Sequence, residues 1–140
     1  MFALFFVLAL ALAACGPRGD TNPGSTPVSY AKGDTLVVIG TLVDTRCFAL
    51  DKSNIGDDHI RPEGHVPACG TACAMQGIPV AVLEGGVPTG KPWILVSYPS
   101  QIFAEYIAST VRVLGQFGSD GILVPINVDI ETDDGWAQVF

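Results

Sequence analysis

Ile122-Leu123-Val124-Pro125-Ile126-Asn127-Val128-Asp129-Ile130-Glu131 carries the plainest structural signal in the chain. Ile122, Val124, Ile126, Val128 and Ile130 are β-branched and apolar, and Leu123, Pro125, Asn127, Asp129 and Glu131 alternate with them. A period of two sustained over this length predicts a strand with one dry face. Working outward, residues 110–117 (TVRVLGQF) alternate in the same way, with Val111, Val113 and Phe117 on one side. Residues 80–83 and 93–97 are two further apolar runs, separated by the turn signal Glu84-Gly85-Gly86, and read as a hairpin. Residues 36–43 form another β-branched run, in which Gly40 predicts a bulge or a sharp bend. Residues 136–140 would add a terminal edge, and Trp93, Trp136 and Phe117 are expected in the core.

Two helices fit between these strands. Residues 67–76 open with Pro67 in the first turn and close with Gly77 just past the end. Residues 100–109 follow Pro99 and set Ile102, Phe103, Tyr106 and Ile107 on one face. About five short strands, with one helix after the first and another before the fourth, predict a mainly β fold: a small OB-like barrel with one or two short helices.

The chain has 140 residues, enough for one domain. Residues 1–14 read as a signal peptide, 15–34 as a flexible linker rich in Gly, Pro, Ser and Thr, and 35–140 as the barrel. Seven Lys and Arg against 14 Asp and Glu leave a net charge of −7. A nucleic-acid partner is not expected, because phosphate binding calls for a basic patch and none is visible.

The apolar run before Cys15 is shorter than the roughly twenty residues a spanning helix needs and suits a signal-peptide core. It ends in Leu12-Ala13-Ala14-Cys15-Gly16. This box resembles that of bacterial lipoproteins, and the resemblance implies that Cys15 is the lipidated first residue of the mature chain. It also implies a lipid-anchored protein of the cell envelope facing the periplasm or exterior, with Gly16 after the cysteine favouring the outer membrane in a diderm cell. One acyl chain anchors only marginally, whereas the two or three that lipoproteins carry, palmitate among them, anchor stably.

Three other cysteines remain, Cys47, Cys69 and Cys73. His65-Val66-Pro67-Ala68-Cys69-Gly70-Thr71-Ala72-Cys73 is an H-x-x-x-C-x-x-x-C pattern. Residues four apart share one helix face, about 6 Å apart at Cβ, so Cys69 and Cys73 would present two sulfurs together. Cys47 follows the first strand and can supply a third, and His65 can fold back from just before the helix. Cys47, His65, Cys69 and Cys73 would suit Zn²⁺ in a tetrahedral site or Cu(I) at lower coordination. His59 is a reserve ligand. Asp57-Asp58-His59 and Glu63-Gly64-His65 set carboxylates beside imidazoles that they could orient. Asp44 reads as a turn former at the strand end ahead of such a partner.

Gly40-Thr41-Leu42-Val43-Asp44-Thr45-Arg46-Cys47, then His65, Cys69 and Cys73, then Gly77-Ile78-Pro79 is similar to a group of small exported bacterial proteins of uncharacterised activity. Their pattern is V-D-x-x-C, a loop, H-x-x-x-C-x-x-x-C and G-x-P, and it implies that these residues form one site. The alternative is a disulfide from Cys47 to Cys69 or to Cys73, within a non-enzymatic envelope module that binds a protein or glycan partner. A thiol redox centre is a further alternative. The chain has no C-x-x-C-H, G-x-S-x-G, Walker or H-E-x-x-H motif, and no enzymatic activity is expected.

Overall fold

The computed structural model describes residues 29–57, 59–61, 64–66 and 68–140, the side chains of 59–61 and 64–66 excepted. Cys15, the signal peptide and most of the expected linker lie outside the described residues. Among the described residues no helix is long and apolar enough to cross a membrane.

The strands are β1 (Thr35–Asp44), β2 (His59–Arg61), β3 (Gly64–Val66), β4 (Val80–Glu84), β5 (Lys91–Leu95), β6 (Thr110–Ser119), β7 (Ile122–Thr132) and β8 (Gly135–Gln138). The helices are α1 (Thr45–Leu50) and α2 (Cys69–Met75), with a 3₁₀ segment at Ser100–Tyr106. The main sheet runs β5-β4-β1-β6-β7-β8, and a parallel pairing of β5 with β7 closes the first five strands into a barrel. β8 extends the far half of β7, and β2 with β3 forms a separate hairpin. This five-strand closure, with a short helix before the fourth barrel strand, is the OB-like barrel expected from the sequence.

Val38, Leu42, Val82, Trp93, Phe103, Val111, Val113, Leu123 and Val128 fill the barrel. A second, smaller core lies outside it, where Phe48 of α1 covers Val43, Ala81 and Leu83. Burial on both faces explains why residues 80–83 form an unbroken apolar run. Ahead of β1, the Tyr30 ring already packs on Phe117 and Trp93, at 5.6 and 6.3 Å between centroids.

Three local expectations need correction. The alternation in β7 does not hold one face inward throughout. Leu114 pairs with Asn127 and Gly115 with Pro125, so Ile126 is an extra residue in a bulge and is half-exposed. Before it Leu123 and Pro125 are buried, and after it Val128 is. A bulge shifts the phase of a strand by one residue and bends it, which helps the sheet close. At Gly40, by contrast, the register of β1 is unbroken, which excludes a bulge there though not a bend, and the residue pairs with both Glu84 and Val111. A glycine is needed there because a Cβ would come within 2.2 Å of the Leu83 carbonyl oxygen. Trp136 lies on the surface, with the Arg112 guanidinium 4.7 Å over its ring.

Arg112 donates from Nε and Nη2 to Asp129 Oδ2 at 2.9 and 2.6 Å, and Asn127 Nδ2 donates to Asp129 Oδ1 at 2.8 Å. The Arg112 guanidinium, with help from Asn127, holds the Asp129 carboxyl below the usual carboxylate range. A lowered folded value stabilises the protein above the unfolded value of about 3.9, and the effect fades as pH falls through the folded value. D129N should therefore show its largest deficit in thermal midpoint near neutral pH, with the gap closing below about pH 4. A gap of constant size across that range would contradict the assignment.

Candidate metal centre

Residues 45–79 leave the barrel at the end of β1 and return at the start of β4, where Asp44 and Val80 are paired. Asp44 caps α1: its Oδ1 accepts from the Cys47 backbone N–H at 2.8 Å. The D-x-x-C spacing is thus the spacing from an N-cap to the third helical residue. Thr45 holds this corner by donating from its backbone N–H and its hydroxyl to the Pro79 carbonyl, at 3.0 and 2.9 Å. The expected loop after Cys47 therefore begins as a helix, and it goes on to include the β2–β3 hairpin.

α2 starts at Cys69, two residues later than expected, with Ala68 in the left-handed region at φ 44°. At its far end the Gly77 N–H donates to the Ala74 carbonyl and the Ile78 N–H to the Cys73 carbonyl, the paired bonds of a Schellman stop. Gly70 donates to the Gly56 carbonyl at 2.8 Å. A Cβ on Gly70 would meet Gly56 Cα at 2.7 Å, Ile107 Cγ2 at 2.6 Å and Asp44 Oδ2 at 3.0 Å. Two glycines facing each other thus allow α2 to approach the cap of α1, with Cys73 beside Asp44 and Cys69 beside Cys47.

Asp44 is fully buried, and Cys47 and Cys69 nearly so, at 5 % and 7 % exposure, while Cys73 is half-buried. Cys47 Sγ and Cys69 Sγ are 3.3 Å apart. A carboxylate oxygen of Asp44, Cys47 Sγ and Cys73 Sγ lie within 4.8 Å of one another, a group that could hold a metal ion. Asp44 Oδ2 is buried without a hydrogen-bond partner among the described residues. Burial, and next the neighbouring Cys69 thiol and the Asp44 carboxylate, push the Cys47 thiol well above its ordinary value. A nearby cation reverses that balance, because a metal takes the thiolate. With bonds near 2.3 Å, two sulfurs on a tetrahedral zinc stand about 3.8 Å apart, so Cys47 and Cys69 need to separate by only about half an ångström.

Of the three expected cysteines, Cys47 and Cys73 are therefore brought together with Asp44, while Cys69 reaches Cys47 but lies outside that group of mutually close ligand atoms. The backbones of His59 and His65 lie in the β2–β3 hairpin, paired with Val66 and Ile60, and their side chains lie outside the described residues. Asp44 is the member of the cluster that the sequence reading did not count as a ligand; it was read as a turn former at the strand end, and it does cap α1 there. Gly56 and Gly70 carried no comparable signal, since their role depends on a contact between distant segments. No family model, curated protein or solved structure matches the chain.

Proposed function

We propose that this is a lipid-anchored protein of the bacterial envelope whose barrel carries a soft-metal site, with a structural or metal-handling role and no catalytic one. Asp44, Cys47, Cys69 and Cys73 would hold the ion, zinc or copper, with His65 as a further ligand from the hairpin and His59 in reserve. Cys15 would carry the lipid. The observation that supports the reading best is the buried Asp44 Oδ2, left without a hydrogen-bond partner beside three free cysteines. A buried polar oxygen is costly unless something pairs with it, and a cation among thiolates would do so.

The test is metal analysis with thiol counting on the full chain, purified without chelator and without a metal-binding tag. One soft metal per chain with protected thiols is expected, and Cys69→Ser or Cys73→Ser should abolish it. Unchanged metal content in both variants would sink the proposal.

A second reading is favoured by the 3.3 Å approach of Cys47 and Cys69. In it the two form a structural disulfide, and the protein is an envelope interaction module. Its partner would use the apolar cavity of about 160 Å³ between α1 and the outer face of β4 and β5, lined by Val43, Phe48, Ala81, Pro92 and Ile94. No metal and one disulfide per chain would select this reading.

A further inference from the structure

We infer that the metal site is gated by thiol–disulfide exchange: closing Cys47 and Cys69 into a disulfide releases the ion. The inference rests on the metal-site reading above. It follows from how unequally the three cysteines are placed. Cys47 and Cys69 are buried with their sulfurs 3.3 Å apart, near enough to bond after a small movement. Cys73 shares an intact helix face with Cys69, an arrangement poorly suited to a direct bond between them. It is also the most exposed of the three and stays close to Cys47.

The exchange balances as follows. The Cys73 thiolate attacks an external disulfide RS–SR, forming Cys73–S–S–R and expelling one RS⁻. Cys47 attacks the Cys73 sulfur, forming the Cys47–Cys73 disulfide and expelling the second RS⁻. Cys69 then attacks Cys47, forming the Cys47–Cys69 disulfide and returning Cys73 as a thiolate. Two cysteine sulfurs are oxidised, RS–SR is reduced to two thiolates, and the metal keeps its charge throughout. Asp44 and Cys73 are left as two ligands where the full set had at least four, and the loss of two thiolates removes the donors that favour a soft ion.

The test uses the full chain carrying Cys15→Ser, so that the site cysteines are its only thiols. It is reduced, loaded with zinc and treated with oxidised glutathione, while a chromogenic chelator reports free zinc and peptide mapping locates the bond. One zinc per chain should appear as two of the three thiols disappear into a Cys47–Cys69 linkage, and a dithiol reductant should restore binding. Compared in the reduced, zinc-free chain, where parent and variants start alike, Cys73→Ser should slow closure tenfold or more without changing its product, and Cys69→Ala should prevent that product. Failure of the reduced chain to take up zinc overturns the metal-site reading and the gate with it. Uptake followed by oxidation that leaves zinc bound, or that ends with Cys73 in the stable disulfide, overturns the gate alone.

Discussion

Asp44→Asn will weaken zinc binding at least tenfold, equivalent to about 1.4 kcal/mol, yet leave the metal-free protein as stable as the parent or more so. The two carboxylate oxygens of Asp44 do different work. Oδ1 accepts from the Cys47 N–H and caps α1, a role asparagine fills as well as aspartate. Oδ2 is buried without a hydrogen-bond partner among the described residues, and such an oxygen costs roughly 1–3 kcal/mol. A neutral amide lowers that cost without the metal and removes an anionic ligand with it. The effect of the substitution should therefore change sign between metal-free and zinc-loaded protein. Asp44→Ala loses the cap too, and without metal it should be about 1 kcal/mol less stable than Asp44→Asn. Thermal midpoints with and without zinc, together with chelator competition, measure both quantities. Equal zinc affinity for Asp44→Asn and the parent would remove Asp44 from the ligand set.

Trp93→Ala will produce the largest loss of fold stability, about 3–5 kcal/mol, against a total of roughly 5–15 kcal/mol for a domain. Trp93 is 2 % exposed and lies in the barrel core. Its ring is 6.2 Å from Phe117 and 6.3 Å from Tyr30 between centroids, and its Nε1 donates to Glu84 Oε2 at 2.8 Å. Truncation opens a cavity inside a closed sheet, where the neighbouring strands are least able to collapse. Trp93→Phe should recover part of the loss, since it keeps the ring but not the hydrogen bond. Urea unfolding midpoints decide the matter, and a loss under about 1.5 kcal/mol for Trp93→Ala would be too small for an unrelaxed cavity.

The barrel was legible in the sequence because its strands announce themselves locally. Val111 and Val113 alternate with Thr110, Arg112 and Leu114 and are fully buried in the structure. β7 shows where such reasoning stops. The alternation of isoleucines and valines continues through Ile126, but the bulge there is set by how β6 and β7 close the barrel, which no local pattern records. The candidate site divides in the same way. Cys69 and Cys73 were legible as a pair from their four-residue spacing, and Cys47 from its place after the first strand. Asp44 was undervalued because its buried oxygen becomes evident only once Gly56 and Gly70 close over it.

Residues 45–79 occupy a place where two neighbouring antiparallel strands ordinarily need only a short turn. The barrel holds the two ends of this excursion together through the pairing of Asp44 with Val80, so its inner residues are free of any duty to join the strands. Its described helices are held by Phe48 in the outer core, by Ala74 in the main core and by the contacts around the cysteines. A cross-link from Cys47 to Cys69 encloses a ring 22 residues in span, and closing such a ring removes about 3 kcal/mol of chain freedom from the unfolded state. The site is therefore the clasp of an insertion whose ends the barrel already joins, and its ligand chemistry can diverge while the strand pairing of the barrel stays the same.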